Sequence, residues 1–324
     1  MKTKIVYTVV SSNKDYYFEQ AFISVTSLRM RNPDAWVTLV MDDLSGKVLK
    51  GRKFGFDSIA DEQIVITIDN PRLTNYQRSR WLKTNVREYV EGDFLFVDSD
   101  TVINGNLEEI DSFDGDLGAV RDIHTSLQMN PFREMAVNHA GLLGYDCFAE
   151  MNYFNSGVIY AKDNRRTRDF YRSWHEEWKR GTVRRVYMDQ PSFNKANHVY
   201  GGLVKVLADE WNCLLKYGLP FFDKAKIIHC LATKREIDRI HYLMEDDGYE
   251  NLKKTGQIDD TTGAILREPL KHFNIPLEII GKKEIDLKMT DTLLMLKTIY
   301  FNYPALFRII NKAVSLFLKL RKRS

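Results

Sequence analysis

The stretch Gly92-Asp93-Phe94-Leu95-Phe96-Val97-Asp98-Ser99-Asp100-Thr101 is a short apolar strand that runs straight into two carboxylates. Successive side chains of extended chain point to opposite sides, so Asp98 and Asp100 share one side and Ser99 points away. Two hard oxygens so placed suit a divalent cation holding a diphosphate. Such a cation is a Lewis acid toward a nucleotide diphosphate leaving a sugar. Capping of the next turn is the other use for such residues, and the D-x-D spacing by itself leaves both open.

Upstream of this strand the pattern is repeated β-α-β. An apolar run at 5–10 precedes a helix-like segment at 18–31, and a second run at 36–41 ends in Asp42 and Asp43. A third run at 63–68 leads to a helical stretch at 76–90 that feeds the strand at 94–97. Downstream, strands are expected at 117–120, 157–160, 203–207 and 226–229, with a helix at 166–180. The alternation predicts an α/β fold whose central sheet is largely parallel and covered on both faces. Ligands of such sheets bind outside the carboxyl ends of the strands, here 11–15, Asp42 with Asp43, and 98–100. A core domain is expected over 1–240 and a polar extension over 241–290, whose charged, Gly- and Thr-rich part at 245–262 reads as a loop or a weakly packed extension. A basic amphipathic helical tail follows at 291–324.

With 324 residues, 44% of them apolar and 28% charged, the chain can bury a full core in one large domain with an appendage. A formal charge of +3, with aromatic residues spread along the chain rather than interleaved with a basic stripe, speaks against nucleic acid as a partner. Cys147, Cys213 and Cys230 are odd in number and widely spaced, so neither a disulfide framework nor a thiolate zinc site is expected, and a reducing cytoplasm fits. The run at 5–10 is too short for a signal segment, being broken by Thr8 and followed by Ser11, Ser12, Asn13 and Lys14. No stretch reaches the roughly 20 uninterrupted apolar residues of a membrane span. The P-loop, G-x-G-x-x-G, H-E-x-x-H and G-x-S-x-G patterns are missing, which disfavours P-loop hydrolases, dehydrogenases, zinc proteases and esterases.

Further segments match one family in order. Arg80-Trp81-Leu82-Lys83 followed by 92–101 resembles the R-x-x-K helix and D-x-D strand of glycosyltransferase family 8. Phe154-Asn155-Ser156-Gly157-Val158-Ile159 is similar to its F-N-S-G-V segment, and Asp189-Gln190 to its D-Q pair. Ile228-His229 resembles its late histidine, with Lys234 in the place of a phosphate-binding lysine, and 8–16 its nucleotide-binding first loop. The resemblance covers residues 4–235. It implies a GT-A (Rossmann-like) fold with a mixed, mostly parallel sheet, and an enzyme moving glucose or galactose from a UDP-sugar with retention of configuration. It implies Mn2+ or Mg2+ held by Asp98, Asp100 and His229. Asp189, Gln190 and Asn155 would lie around the reacting sugar, and Thr8, Ser11, Asp15, Tyr16, Arg80, Lys83, Ser99 and Lys234 would bind the donor.

Plainer uses compete for most of these residues. His229 follows an apolar pair, as a satisfied core histidine does. Arg78, Arg80, Lys83 and Arg87 cluster as on a solvated basic face, although the spacing of three sets Arg80 and Lys83 on one side of a helix, where they could hold phosphate or sugar hydroxyls. Asn155-Ser156-Gly157 is either a segment whose glycine lets the backbone approach a sugar, or an ordinary turn before a strand. Asp15, Tyr16, Asp42 and Asp43 are ribose and base contacts or surface turn residues, and Trp211-Asn212 walls an acceptor site or belongs to the core. An amide such as that of Gln190 is a poor nucleophile, so the resemblance implies that the departing phosphate itself takes the acceptor proton on the same face.

In the tail, apolar residues recur at near-helical spacing, and behind Asp291 stand only basic charges: Lys297, Arg308, Lys312, Lys319, Arg321, Lys322 and Arg323. This suits an interfacial helix on anionic lipid, against packing on the core or on a second subunit. Pro304 predicts two helices rather than one. The expectation is a cytoplasmic hexosyltransferase, peripheral on the inner face of a bacterial membrane, that serves a glycan or lipid-linked acceptor in surface polysaccharide synthesis. An inverting transferase and a catalytically idle sugar-nucleotide or glycan-binding protein are the rivals.

Overall fold

The structure, a computed structural model, describes residues 1–147, 152–230, 246–272 and 281–321. The chain opens with β1 (Lys4–Val9), α1 (Tyr17–Arg31), β2 (Val37–Asp42), α2 (Asp43–Leu49), β3 (Glu62–Ile66), α3 (Asn75–Asn85), β4 (Phe94–Val97) and β5 (Thr101–Ile103). It continues with β6 (Leu117–Arg121), α4 (Arg133–Leu143), β7 (Phe154–Ala161), α5 (Arg165–Val183), α6 (Asp189–Val199), β8 (Val204–Val206), β9 (Cys213–Leu214) and β10 (Ile227–His229). Helices α7 (Asp246–Thr255), α8 (Asp260–Arg267), α9 (Pro269–His272), α10 (Lys282–Lys288), α11 (Asp291–Asn302) and α12 (Pro304–Arg321) follow.

Seven strands form the main sheet in the order β3-β2-β1-β4-β7-β6-β8. All pairs are parallel except those of β7, which runs antiparallel to both β4 and β6. This is the mixed, mostly parallel sheet that the alternation of apolar runs predicts. Strand order reverses between β1 and β4, so the crevice at their carboxyl ends is the place where such sheets take ligands. On one face Val6, Val40, Phe94, Phe96 and Ile159 pack with Leu82 of α3, Trp174 of α5 and Phe193 of α6. On the other, Tyr7 bonds through its hydroxyl to Ser24 of α1 at 3.1 Å, and Ser24 meets Thr101 of β5 at 2.7 Å.

A second sheet, ordered β5-β10-β9, is docked by α1. Besides the Ser24 contact, Ser27 Oγ accepts from the Ile103 amide at 2.8 Å, and Asn32 Oδ1 from that of Leu107 at 2.8 Å. These polar residues of α1 and its C-terminal cap thus satisfy backbone donors that would otherwise be buried without partners.

Two expectations change. The segment Asn155-Ser156-Gly157 is not a turn before a strand: β7 begins at Phe154 and all eight of its residues are buried. Asn194 secures that start, its Oδ1 accepting from the Phe154 amide at 2.7 Å and its Nδ2 donating to the Phe154 carbonyl at 2.9 Å. The polar stretch at 245–262, expected as a loop or a weakly packed extension, builds all of α7 and the start of α8. Tyr249 and Leu252, three apart, are buried on one side of α7, and Asp259 caps α8 by accepting from the Thr262 amide at 2.7 Å. A few apolar residues at helical spacing suffice, and the abundant charge around them hides the pattern.

Residues 281–321 belong to a separate compact unit. Its helices α11 and α12 break at Pro304 as the sequence predicts, with proline on the first turn of α12, where its missing amide costs nothing. Among the described residues no helix is long and apolar enough to cross a membrane.

Helix α3 starts in a reciprocal capping box between Thr74 and Gln77. It is held to α5 by His175, whose Nδ1 lies 2.8 Å from Thr84 Oγ1 and whose ring stands edge-on to Trp81. Burial holds the His175 imidazole down at about 4. The unfolded chain therefore takes up this proton first as pH falls: the stability is fully present above about pH 6.5, is lost on the way down to about pH 4, and does not change further below that. Urea titrations should show wild type losing up to about 3 kcal/mol more than His175→Gln across this window.

Candidate active site

Three pairings converge on the D-x-D turn. Val97 of β4 pairs with Val158 of β7, and the Asp98 amide donates to the Gly157 carbonyl at 2.8 Å, which sets Asp98 against the F-N-S-G segment. On the other side, antiparallel β10 puts His229 opposite Thr101, and the Cys230 amide donates to the Asp100 carbonyl at 2.8 Å. Helix α3 supplies Lys83, whose Nζ donates to both Asp98 oxygens at 2.9 and 3.0 Å.

Asp98, Asp100 and His229 each offer a ligand atom, and these atoms all lie within 4.8 Å of one another. His229 Nε2 is 3.2 Å from Asp100 Oδ1, and its Nδ1 is 2.9 Å from Asn212 Oδ1. Two carboxylates and an imidazole whose other nitrogen is already engaged fit a hard divalent cation. Gly157 is part of that fit, because a Cβ there would lie 2.4 Å from His229 Cε1 and 2.7 Å from Nδ1. Burial works against charge on all three groups. His229 and Asp100 overcome it together, the ring titrating above its ordinary value and Asp100 below. Asp98 is pushed up by burial and by Asp100, against the pull of Lys83.

Asp189, first residue of α6, faces the same space. Its oxygens receive Arg80 Nε at 2.9 Å, Lys83 Nζ at 3.2 Å and Ser156 Oγ at 2.8 Å. Burial alone would raise its pKa, but the two cations, Lys83 and Arg80, more than offset it and hold the carboxyl at about 2. Next to it, Gln190 Oε1 accepts from Asn155 Nδ2 at 3.2 Å. Tyr17, at the start of α1, is within electrostatic reach of Asp15, Arg80 and Asp100, which joins the first loop to this space.

The structure thus brings together Asp98, Asp100, His229, Lys83, Arg80, Asp189, Asn155 and Gln190. Half-buried Ser99 sits between the two aspartates, and Thr8 is in β1 with Ser11 just beyond it. Asp15 turns back on its own loop, accepting from Ser11 Oγ at 2.6 Å and from the Ser12 amide at 2.9 Å. Tyr16 stacks on Tyr249 of α7 and lies under Lys253 Nζ. Lys234 lies outside the described residues. The helix of cations is not a solvated face, since Arg78, Lys83 and Arg87 are all buried. Arg78 pairs with Asp42 and, at 3.0 Å, with Asp43, while Arg87 donates to the Gly92 carbonyl at 2.7 Å. Asp42 is buried, and it also caps α2 through the Ser45 amide at 2.8 Å, so this pair of aspartates is engaged in holding α2 and α3 together.

Asp122 escapes the sequence reading, and Asn212 takes a place other than the acceptor wall. Asp122 receives Asn155 Nδ2 and Asn130 Nδ2, each at 3.2 Å, and burial raises its carboxyl. It directly follows β6, so the strand-end rule would have found it. Asn212, fully buried, lies between His229 and Asn155, with Nδ2 2.9 Å from Asn155 Oδ1. The sequence places it only as an acceptor wall or a core residue, because these partners are 17 and 57 residues away.

A Rossmann-like mixed sheet with paired carboxylates at its switch point defines the class of GT-A glycosyltransferases. Within that class the model of "Glycosyl transferase family 8" matches residues 8–245, and the chain belongs to this family. It is a glycosyltransferase. No curated protein matches it significantly in sequence. Its fold is similar to that of galactosyltransferase LgtC, solved with donor and acceptor sugar analogs, at 15% identity and a TM-score of 0.52 over 81% of this chain and 99% of that one. It is also similar to the bifunctional glycosyltransferase WbbM (14%, 0.51, 82% and 51%), and less closely to mouse xyloside xylosyltransferase 1 (16%, 0.46, 71% and 97%).

Gly157→Ala is expected to leave the sheet intact while displacing the His229 ring. Overpacking of this kind costs about 1–3 kcal/mol, so a modest drop in melting temperature should accompany a loss of Mn2+ binding measured by calorimetry.

Proposed function

We propose that this enzyme transfers a hexose, glucose or galactose, from a UDP-sugar with retention of configuration, and that Asp98, Asp100 and His229 hold the divalent cation, Mn2+ or Mg2+. The observation that carries this reading is the convergence of their ligand atoms within 4.8 Å at the sheet's switch point, in a chain of this family. When bound, the cation supplies Lewis-acid stabilisation of the charge that grows on the departing diphosphate. Lys83 and Arg80 add fixed positive charge on the same side. Asp189, held ionised by those two cations, is placed to accept hydrogen bonds from sugar hydroxyls. Thr8, Ser11, Asp15, Tyr16 and Ser99 line the approach for the nucleotide, and Lys234 is its further phosphate ligand.

Gln190 presents an amide to the anomeric centre. Because an amide is a poor nucleophile, the leaving phosphate takes the acceptor proton on the face it departs from, and the protein acts by holding donor and acceptor in register. An inverting transferase would need a carboxylate base on the opposite side of the ring, and the residue paired with Asp189 in sequence is an amide.

The acceptor on this reading is a glycan or lipid-linked sugar of bacterial surface polysaccharide synthesis, met by the enzyme at the cytoplasmic face of the membrane. Support comes from α11 and α12. Phe301, Leu306, Ile309, Leu316 and Phe317 are exposed, and every charge behind Asp291 is basic.

Calorimetry should find tight UDP binding in the presence of Mn2+ that vanishes on chelation. Asp100→Ala should lose both that binding and transfer; full activity in this variant would remove the metal assignment. A chain ending before residue 291 is expected to hydrolyse donor at the wild-type rate but to stay in the supernatant when spun with anionic liposomes. Sedimentation equal to wild type would exclude the tail as the anchor.

A further inference from the structure

We infer that Asn212 is a positioning residue: it turns Nε2 of His229 toward the D-x-D carboxylates and ties that ring to the amides beside the sugar. The inference rests on the cation reading above and extends it to a residue that touches neither cation nor substrate.

The argument starts at a backbone donor. The Gly157 N–H can only donate, and it meets the side chain of Asn155 at 2.8 Å, so the atom there is the amide oxygen. That orientation sends the Asn155 NH2 group toward Asp122 Oδ1 and Gln190 Oε1, both at 3.2 Å. Asn212 meets the same Asn155 oxygen at 2.9 Å and must therefore present its own NH2 group. Its Oδ1 is left for His229 Nδ1, at 2.9 Å. An amide oxygen only accepts, so Nδ1 carries the hydrogen and Nε2 is the nitrogen turned to Asp100. One peptide group of β7 thus sets the polarity of a chain of three hydrogen bonds that ends at a metal-ligand histidine. The same chain joins that histidine to Gln190 through Asn155. The Asn212 side chain is completely buried, so no water can substitute from bulk for the bonds it makes.

Two substitutions separate this role from core filling. Asn212→Leu keeps the branched shape and number of heavy atoms and removes both bonds. Loss of such a partner typically costs 10–100-fold in metal affinity, and a fall of that order is expected when Mn2+ alone is titrated into the protein by calorimetry. Asn212→Asp keeps an acceptor for the ring but sets an oxygen against the Asn155 oxygen. Its Mn2+ affinity should equal or exceed wild type, while kcat drops by about tenfold or more at little changed donor KM.

Wild-type Mn2+ affinity in Asn212→Leu overturns the inference, as does a kcat unchanged in Asn212→Asp. An equal loss of Mn2+ affinity in both variants overturns it as well, since it would mark a packing role. Should Asn212→Leu fail to fold, the split between affinity and kcat in Asn212→Asp decides alone. A wild-type protein that takes up no Mn2+ in this titration would remove the cation reading itself, and the role of Asn212 with it.

Discussion

Strand β7 runs against its neighbours, and the site depends on that reversal. In a purely parallel sheet only loops that follow strands reach the ligand crevice. An antiparallel strand brings its first residues there, so Asn155, Ser156 and Gly157 enter the site from within a strand, where the register against β6 shifts between Phe154 and Ile159. The second sheet repeats the device: β10 runs against β5, and its last residue, His229, arrives beside the first residue after Asp100. Residues that are distant in sequence are thereby held by backbone ladders rather than by loops, which gives the side chains the rigid support that preorganised chemistry requires.

That support has a steric condition. His229 occupies the space that a side chain at 157 would fill, so the glycine of the F-N-S-G segment serves the ring before it serves any substrate. On the far side, α1 fixes the second sheet through Ser24 and Ser27 rather than through apolar packing alone. Directional bonds of this kind set the register of β5 and with it the placement of Asp100.

Most of the scaffold was legible in the sequence because its strands are short apolar runs closed by polar residues, and the period of burial decides strand from helix. The D-x-D turn, the ordered family segments and the break at Pro304 were legible for the same local reason. What was hidden depends on partners far along the chain. Buried Arg78 and Arg87 read as solvent-facing because their anionic partners, Asp42 and Asp163, are supplied by distant elements. Asn212 gives no local sign of its role for the same cause. The helices at 246–267 were masked by composition: two buried hydrophobic residues per helix, Tyr249 with Leu252 and Ile265 with Leu266, set the fold there among polar and charged neighbours.

The charges of the site also explain why cation and donor belong together. Lys83 donates to both oxygens of Asp98, so a cation that takes Asp98 as ligand must share or displace that lysine. Asp189 gives Lys83 a second partner, but it is already held by Arg80. On the proposed reading a diphosphate resolves the competition, because it offers Lys83 and Arg80 new anionic partners while adding ligands to the cation. Each component then removes a cost that the other would meet alone. Linkage makes the effect reciprocal: the cation raises the affinity for the donor by the same factor as the donor raises that for the cation. Asp189 is ionised while Lys83 and Arg80 hold it, since its pKa of about 2 lies well below neutral pH.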